Sequence, residues 1–368
     1  MSTRPGAARR LKAALGQLVP GHFAVVMATG ILSIDAALAG RGPVSLALLV
    51  VAATVYLGLL VVVVARLARR PARLGMLPEP VAGFETLTFV AGSGVLGSRL
   101  ALAGWPLLPR LLWLLAVVAW APLTYRLAAA LTVLPWRRIA PTVRGTWLLA
   151  VVAVQALVGL GVHLGGPVPA PLAFACACGW LLGLSLYAAI ALLLSARLLA
   201  RPLRAAAITP DYWICMGALA ISTLAGSQLL TAPGPALSPL VRPFVAGLTV
   251  TAWAVGTAWI PWLIGIELWR QRRDPGARRY ERGRWSTVFP LGMYGACSLQ
   301  LAPLVHVPGL ALLGHAFFWL GLACWVAVAA GAAGAALGAS RESGYRGPGS
   351  ASAAPRRPSI STGGSGEE

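Results

Sequence analysis

Ten long apolar segments follow one another along the chain, and they limit its fold more than any other feature of the sequence. Each spans about 20 residues or more, the length that an α-helix needs to cross a hydrocarbon core ~30 Å thick. Because 58% of the residues are apolar and only 11% are charged, a soluble domain is excluded. The sequence predicts an all-α integral membrane protein with ten transmembrane helices. The segments cover residues 20–39, 44–65, 81–103, 108–131, 145–164, 170–196, 211–232, 243–269, 285–304 and 309–338.

Basic residues are distributed unevenly between the two sides of these segments. All but four of the 30 lysines and arginines lie in the N-terminal arm, in the C-terminal tail, or in and beside loops that follow an even-numbered segment. The positive-inside rule assigns these regions to the cytoplasm, so we expect both termini to be cytoplasmic. The net charge of +20 then has a topological cause and needs no nucleic-acid partner. The exceptions are Arg41, Arg99, Arg110 and Arg242.

The same reasoning divides the chain into three regions. Residues 1–18 form a basic cytoplasmic N-terminal arm, and residues 19–338 form the ten-helix transmembrane domain. Residues 339–368 are rich in Ser, Gly and Pro, which predicts a disordered cytoplasmic tail. Lys12 is the only lysine among many arginines, a bias typical of a GC-rich bacterial genome. We therefore expect a multi-pass protein of the inner (plasma) membrane of such a bacterium.

The odd-numbered segments share a starting pattern of a proline, an aromatic residue or both at the cytoplasmic end. Pro20 with Phe23 and Pro80 with Phe84 are examples. Proline suits the first turn of a helix because its missing N–H would be unpaired there in any case. The pattern recurs with every second segment, so the repeating unit is a helical hairpin used five times.

Polar side chains concentrate in the odd-numbered segments, whereas the even-numbered ones are mainly Leu, Ala and Val. A polar side chain within a membrane needs a partner or a water-filled cavity. We therefore predict five inner helices surrounded by five outer ones, with a central pore. The alternative is that small residues only allow the helices to pack closely. The candidate pore-lining residues are Thr29, Ser33, Gln155, Ser222, Thr223 and Ser298.

Asp35 and Arg99 are charged residues near the outer ends of the first and third segments. Each would be costly to bury alone, so an ion pair between the two helices is one interpretation. Arg99 can alternatively attract anions at the outer mouth of the pore, or extend its side chain to the lipid interface. The sequence leaves these alternatives open.

Glu85 and His22 lie near the cytoplasmic ends of the third and first segments. A carboxylate in an anion pathway is expected to be paired or protonated, and Arg144 and His22 are its candidate partners. A role of Glu85 in proton coupling is the alternative hypothesis. His22 can donate to an anion near the cytoplasmic entrance, because histidine changes charge near physiological pH, or it can occupy a first-turn cap.

Motifs for catalysis, metals and cofactors are absent from the sequence. The five cysteines lie in apolar segments, and neither they nor the four histidines have the spacing of metal ligands. Phosphate-binding loops and nucleophile elbows are also missing. We predict no enzyme activity, no metal and no cofactor.

Five stretches of the chain resemble the tellurite-resistance/C4-dicarboxylate transporter family, which includes fungal malic-acid permeases and the slow anion channels of plant guard cells. The resemblance extends from about residue 18 to 335. It implies ten helices in five hairpins, a homotrimer, and an anion pathway lined by the odd-numbered helices of each protomer. The stretches are PGHFAVVMATGILS (20–33), FVAGSGVLGSRLA (89–101), GTWLLAVVAVQALV (145–158), TPDYWICMGALAISTLAGS (209–227) and WSTVFPLGMY (285–294).

The family resemblance also implies a gate, because a phenylalanine on the ninth helix plugs the pore of channel-like members. Phe289, followed by Pro290, occupies the matching position. An aromatic side chain in a narrow pore blocks ions by size and by removing their hydration. Pro290 can kink the helix and move this side chain toward the pore. The alternative is an ordinary core phenylalanine beside a packing kink, and Phe289 lies only ~6–10 Å from the start of its helix.

The sequence thus predicts an anion channel or permease for small inorganic or dicarboxylate anions, embedded in membrane lipid. A proton-coupled carrier of malate-like C4-dicarboxylates, with Glu85 or His22 titrating, is the alternative. A membrane sensor or scaffold is a third hypothesis, although the polar tail contains no recognisable domain.

Overall fold

The structure, a computed structural model, describes residues 20–69, 79–200, 208–233, 237–274 and 280–345. These residues form helices, short 3₁₀ turns and loops, with no β-strand among them. The expected N-terminal arm lies outside the described residues, and so does most of the expected tail. The last helix ends at Tyr345, beyond the boundary at residue 338 expected from the sequence.

Ten main helices occupy the ranges expected from the apolar segments. Four of these helices are directly preceded by a short 3₁₀ turn. The turns are Pro20–His22, Gly145–Leu148, Pro210–Trp213 and Arg282–Arg284. A further short helix, Trp136–Ile139, lies between the fourth and fifth main helices. The helices are α1 Phe23–Leu38, α2 Gly42–Arg69, α3 Pro80–Leu102, α4 Leu108–Val133, α5 Leu149–Gly161, α6 Ala170–Ala200, α7 Ile214–Thr231, α8 Arg242–Arg273, α9 Trp285–Val305 and α10 Pro308–Tyr345.

Seven of these helices are long and apolar enough to cross a membrane. An eighth span results if Trp136–Thr142 and Gly145–Gly161, which meet at 89°, are counted together. The remaining two are α1, which has only 16 residues, and α3, which carries Glu85 and Arg99. The all-helical membrane character expected from the sequence is therefore confirmed.

The odd-numbered helices contact one another in the order α1, α3, α5, α7, α9 and back to α1. They form a closed inner bundle. Each even-numbered helix packs mainly on the odd-numbered helix that precedes it, and these five are called the outer helices below. The most apolar part of the α7 segment is 94% buried, whereas the outer helices are 17–28% buried. The outer helices thus present their apolar side chains outward, where lipid can cover them.

The turn between the first two helices recurs between the third and fourth. Gly40 and Gly104 have positive φ angles of 72° and 81°. The next N–H bonds back to the helix in each case, from Arg41 to Ala36 O at 2.7 Å and from Trp105 to Leu100 O at 3.1 Å. This is the Schellman ending, which glycine adopts without strain.

Every outer helix also begins with a proline in its first two residues, a repeat that the sequence-based prediction missed. The missing N–H of proline is harmless there. All five outer helices therefore share a proline in the first turn. The residues are Pro43, Pro109, Pro171, Pro243 and Pro308.

Candidate functional site

A cavity of about 370 Å³ opens at the end of the inner bundle where the odd-numbered helices begin, and it is called the vestibule below. All five inner helices, or the turns that lead into them, contribute to its wall. The lining residues are Gly21, His22, Ala24, Val25, Met27, Val81, Glu85, Thr88, Arg144, Thr146, Leu149, Thr209, Pro210, Asp211, Ile214, Tyr280, Glu281, Gly283, Trp285, Ser286 and Phe289.

Five helix N-termini surround the vestibule. The first N–H groups of a helix have no partner within the helix, and the helix dipole adds a partial positive charge at that end. Because five such ends surround one cavity, their backbone contributions favour anions there. A single helix end would have a small effect, but the five add in the same direction.

Charged side chains of both signs line the same cavity. His22, Glu85 and Arg144, which the sequence suggested as mutual partners, are all in its wall. The structure therefore brings these candidates together. Asp211 and Glu281 lie in the wall as well, and the sequence-based prediction assigned neither of them a role.

Asp211 joins the beginnings of α5 and α7. Its carboxylate accepts a hydrogen bond from the backbone N–H of Thr146 at 3.1 Å and another from the Thr209 hydroxyl. A Cβ atom at Gly145 would lie 1.9 Å from the backbone oxygen of Asp211, so only glycine fits this approach. The signal in the sequence was Thr209-Pro-Asp before a helix, the pattern of an N-terminal cap.

Glu281 is held at the rim of the vestibule by Arg270. This arginine, buried at the end of α8, forms an ion pair with Glu281. It also donates to the backbone oxygen of Ile208 at 3.2 Å and lies 3.9 Å from Glu267. One guanidinium group thus ties α8 to the segments that precede α7 and α9.

Phe289 lies at the inner end of the vestibule wall. Its side chain is only 3% exposed and it is the deepest residue of α9 in the vestibule wall. Met293, one turn further along α9, lines a separate void of about 20 Å³ on the other side. Four residues of helix correspond to ~6 Å. Phe289 lines the vestibule and Met293 lines the void, so the two cavities are about one helical turn apart along α9.

Pro290 lies on a different side of α9 from the vestibule wall. A Cβ atom at Gly217 of α7 would lie 2.7 Å from the Pro290 Cγ atom. The proline ring therefore packs against the backbone of α7, and Gly217 provides the space for it.

The small void is mainly apolar. Ile31, Val95, Ile221 and Met293 contribute to its wall together with the amides of Gln155 and Gln228. Its other lining residues are Ile34, Gly94, Ser98, Ala156, Gly159, Leu224 and Ala225. Of the six candidate pore-lining residues from the sequence, Gln155 is the one that lines this void.

Gln155 also holds α5 to α6. Its amide nitrogen donates to the backbone oxygen of Trp180 at 3.1 Å, while its Oε1 atom is buried without a hydrogen-bond partner among the described residues.

Ser222 and Thr223 on α7 donate to the backbone oxygens of Ala218 and Leu219, four residues earlier in the same helix. Their hydroxyl groups are thus satisfied locally.

Thr29 and Ser298 contact the outer helices. The Thr29 hydroxyl accepts a hydrogen bond from the indole N–H of Trp325 at 2.9 Å, and Ser298 accepts one from Trp253 at 3.0 Å. These two polar groups therefore bind the inner bundle to α10 and α8.

Ser33 and Arg99 form a polar cluster with Ser45 of α2. The Nε atom of Arg99 donates to both serine hydroxyls at 3.0 Å, and each serine donates to the backbone oxygen of the other. Arg99 is only 8% exposed.

The interpretation that Asp35 and Arg99 form an ion pair is wrong for this structure. Both carboxylate oxygens of Asp35 are buried without a hydrogen-bond partner among the described residues. Asp35 follows Ser33 by two residues, about 200° around the helix. Arg99 is bound on the Ser33 side, while Asp35 packs on α9 against Gly295.

Comparisons with known proteins agree with this architecture. Two uncharacterized membrane proteins of Mycobacterium tuberculosis, from strains CDC 1551 and H37Rv, are each 40% identical to this chain over 140 residues, which is 38% of this chain and 71% of theirs. A family model described as a voltage-dependent anion channel, SLAC1, matches residues 17–333. This confirms the resemblance seen in the sequence: the chain belongs to the voltage-dependent anion channel family, within the tellurite-resistance/C4-dicarboxylate transporter group.

Proposed function

We propose that this protein conducts small anions across the cell membrane through the interior of the inner bundle. The observation that carries the proposal is the convergence of five helix N-termini on one cavity, with Phe289 among its lining residues. In this proposal all ten helices span the membrane as five hairpins. The vestibule and both termini are cytoplasmic, as the distribution of arginines predicts.

Phe289 is the proposed gate. With the aromatic ring in place, the path between the vestibule and the small void is blocked by apolar atoms, and a hydrophobic constriction excludes ions by dehydration. Pro290 supports this position through its contact with Gly217. Beyond the gate, the void offers Gln155 and Gln228 as polar groups among apolar ones, which suits weak contact with a passing anion better than tight binding.

The acidic residues of the vestibule fit an anion pathway when their charge is compensated locally. Asp211 accepts two hydrogen bonds, and Glu281 is paired with Arg270. Arg144 adds positive charge in the same wall. The N-terminal ends of the helices can then dominate the potential felt by an entering anion.

A proton-coupled carrier of C4-dicarboxylates is the second candidate function. It is favoured by the position of Glu85 and His22 in the vestibule wall, where a titrating group would meet both the anion and the cytoplasm. The same residues of the inner bundle would serve a channel or a carrier, so transport measurements must distinguish the two functions.

Reconstitution into liposomes tests the proposal. An anion channel gives a current whose reversal potential follows the anion gradient and is independent of the pH gradient. A reversal potential that moves with the proton gradient would favour the carrier. Absence of anion flux from correctly inserted protein would contradict both and leave a sensor or scaffold.

The assembly state follows from the family resemblance, and we propose a homotrimer with one pathway in each protomer. The exposed apolar side chains of the outer helices are available for contacts between protomers as well as with lipid. Native mass spectrometry of the protein released from detergent is expected to give the mass of three chains.

A further inference from the structure

Asp35 is the one acidic side chain in the described residues whose carboxylate is completely buried and unpartnered. Its exposed fraction is 0%, and neither oxygen has a hydrogen-bond partner within the part of the chain that the structure describes. It lies in the C-terminal part of α1, about 20 Å along the helix from the vestibule end by residue count. The vestibule site described above makes no use of it.

Asp35 packs against α9, and it takes part in no ion pair among the described residues. A Cβ atom at Gly295 would lie 2.4 Å from the Oδ2 atom of Asp35, so the carboxyl group rests directly on the backbone of α9. The ion pairs formed by the described residues both involve Arg270, at the opposite end of the bundle.

The other ionisable groups around this site do not supply a compensating charge. On α9 they are Tyr294, whose hydroxyl is hydrogen-bonded to Thr257, and Cys297, whose thiol donates to the backbone oxygen of Tyr294. On α3 the cation is Arg99, whose Nε atom is bound to serines on the other side of α1 and on α2. His315 on α10 is exposed, and Arg41, which follows α1, lies over the ring of Trp319.

The energetic comparison selects one protonation state. An ionised carboxylate without a partner is far more costly in a protein interior than a neutral polar group without a hydrogen bond. We infer that Asp35 is a proton-binding site in the wall of the inner bundle, occupied by a proton at neutral pH and separate from the vestibule. Its neighbour Ile34 lines the small void, so Asp35 lies at the same level of the inner bundle as that void.

Infrared spectroscopy of the whole protein in lipid tests this inference without any assumption about transport. A protonated carboxylic acid gives a carbonyl stretching band that a carboxylate lacks. We expect the wild-type protein at pH 7 to show this band and the Asp35→Asn variant to lose it. The matched control is Asp274→Asn at an exposed aspartate, which is expected to keep the band.

A second measurement covers the case in which Asp35→Asn does not fold. Aspartate labelled with ¹³C at the carboxyl carbon is incorporated into the unmutated protein, which contains aspartate at positions 35, 211 and 274. The inference predicts that the protonated band shifts on labelling in the wild type and also in Asp211→Asn, so that the shift does not come from the buried Asp211, while Asp274 is exposed. A protonated band that is insensitive to the label, or equal in the wild type and Asp35→Asn, would overturn it.

Discussion

Among single residues, Gly145 is the one whose replacement the structure forbids most clearly. A Cβ atom there would meet three backbone atoms of Asp211 and Tyr212, the nearest at 1.9 Å. Backbone atoms cannot rotate away as a side chain can. The close approach lets the start of α5 and the turn before α7 form one wall of the vestibule.

Gly145→Ala is therefore expected to destabilise the protein by ~1–3 kcal/mol, the usual effect of overpacking. Thermal unfolding in detergent measures the change as a lower Tm. The matched control is Gly247→Ala on α8, where a Cβ atom would meet nothing within 4 Å. Alanine there is expected to leave Tm unchanged or to raise it, since alanine favours helix by ~1 kcal/mol over glycine. Equal Tm changes in the two variants would contradict this account of Gly145.

Glu85 distinguishes the two candidate functions at the level of one side chain. Gln has nearly the same shape but cannot titrate. For a channel, we expect Glu85→Gln to leave the pH dependence of anion flux in liposomes as it is in the wild type. For a proton-coupled carrier through Glu85, the variant would lose proton-driven uptake. Glu79→Gln is a suitable control, because Glu79 is exposed outside the vestibule wall.

The sequence identified many polar residues of the functional region but could not say where each would lie. Gln155 and Glu85 do line cavities of the inner bundle. Thr29 and Ser298 are instead satisfied by tryptophans of the outer helices, partners that depend on the packing of distant segments. The composition of a membrane helix shows that a hydroxyl needs a partner, but it does not show which of several groups provides it.

Between helices, aromatic side chains of the outer helices provide a repeated hydrogen bond to the next inner helix. Trp113, Trp180, Trp253 and Trp325 donate from α4, α6, α8 and α10 to α5, α7, α9 and α1. Tyr56 of α2 completes the set through Ser93 of α3 at 2.8 Å. All five junctions between an outer helix and the next inner helix therefore carry such a bond.

Tyr56→Phe tests how much one of these hydrogen bonds contributes to stability, because it removes the hydroxyl with little change in the shape of the side chain. Tyr56 is 2% exposed, and loss of its hydroxyl is expected to reduce stability by ~0.5–1.5 kcal/mol, the net value of a typical hydrogen bond. Chemical denaturation in mixed micelles measures the difference. Tyr125→Phe on α4 is the control, since Tyr125 is 77% exposed and no change is expected. If Tyr56→Phe matched this control, the bond would not stabilise the junction.

The positions of the helices were predictable because hydropathy is local, but their arrangement was not. Each apolar segment corresponds to a helix within a few residues, apart from the longer end of α10. The closure of the inner bundle depends on the contact between α1 and α9, which are far apart in the sequence. Repeated prolines and the alternation of polar and apolar segments predicted a hairpin unit, but the closed ring of contacts among the five odd-numbered helices is seen only in the structure.

For the protein as a whole, the inner bundle accounts for why some of its helices are weakly hydrophobic. α1 is short and α3 carries two charged residues, yet both are largely buried by their neighbours. The outer helices carry the apolar surface instead. A membrane domain can thus keep polar groups and cavities inside while its outer surface remains compatible with lipid.

The central claim is that anions pass through the inner bundle and that Phe289 closes this path. The most direct measurement is the anion current of Phe289→Ala in planar bilayers, normalised to the amount of inserted protein. The control is Phe244→Ala on α8, the same change at a side chain that is 58% exposed. We expect a current several-fold above that of the wild type for Phe289→Ala and an unchanged current for Phe244→Ala. A Phe289→Ala current equal to that of the wild type would contradict it.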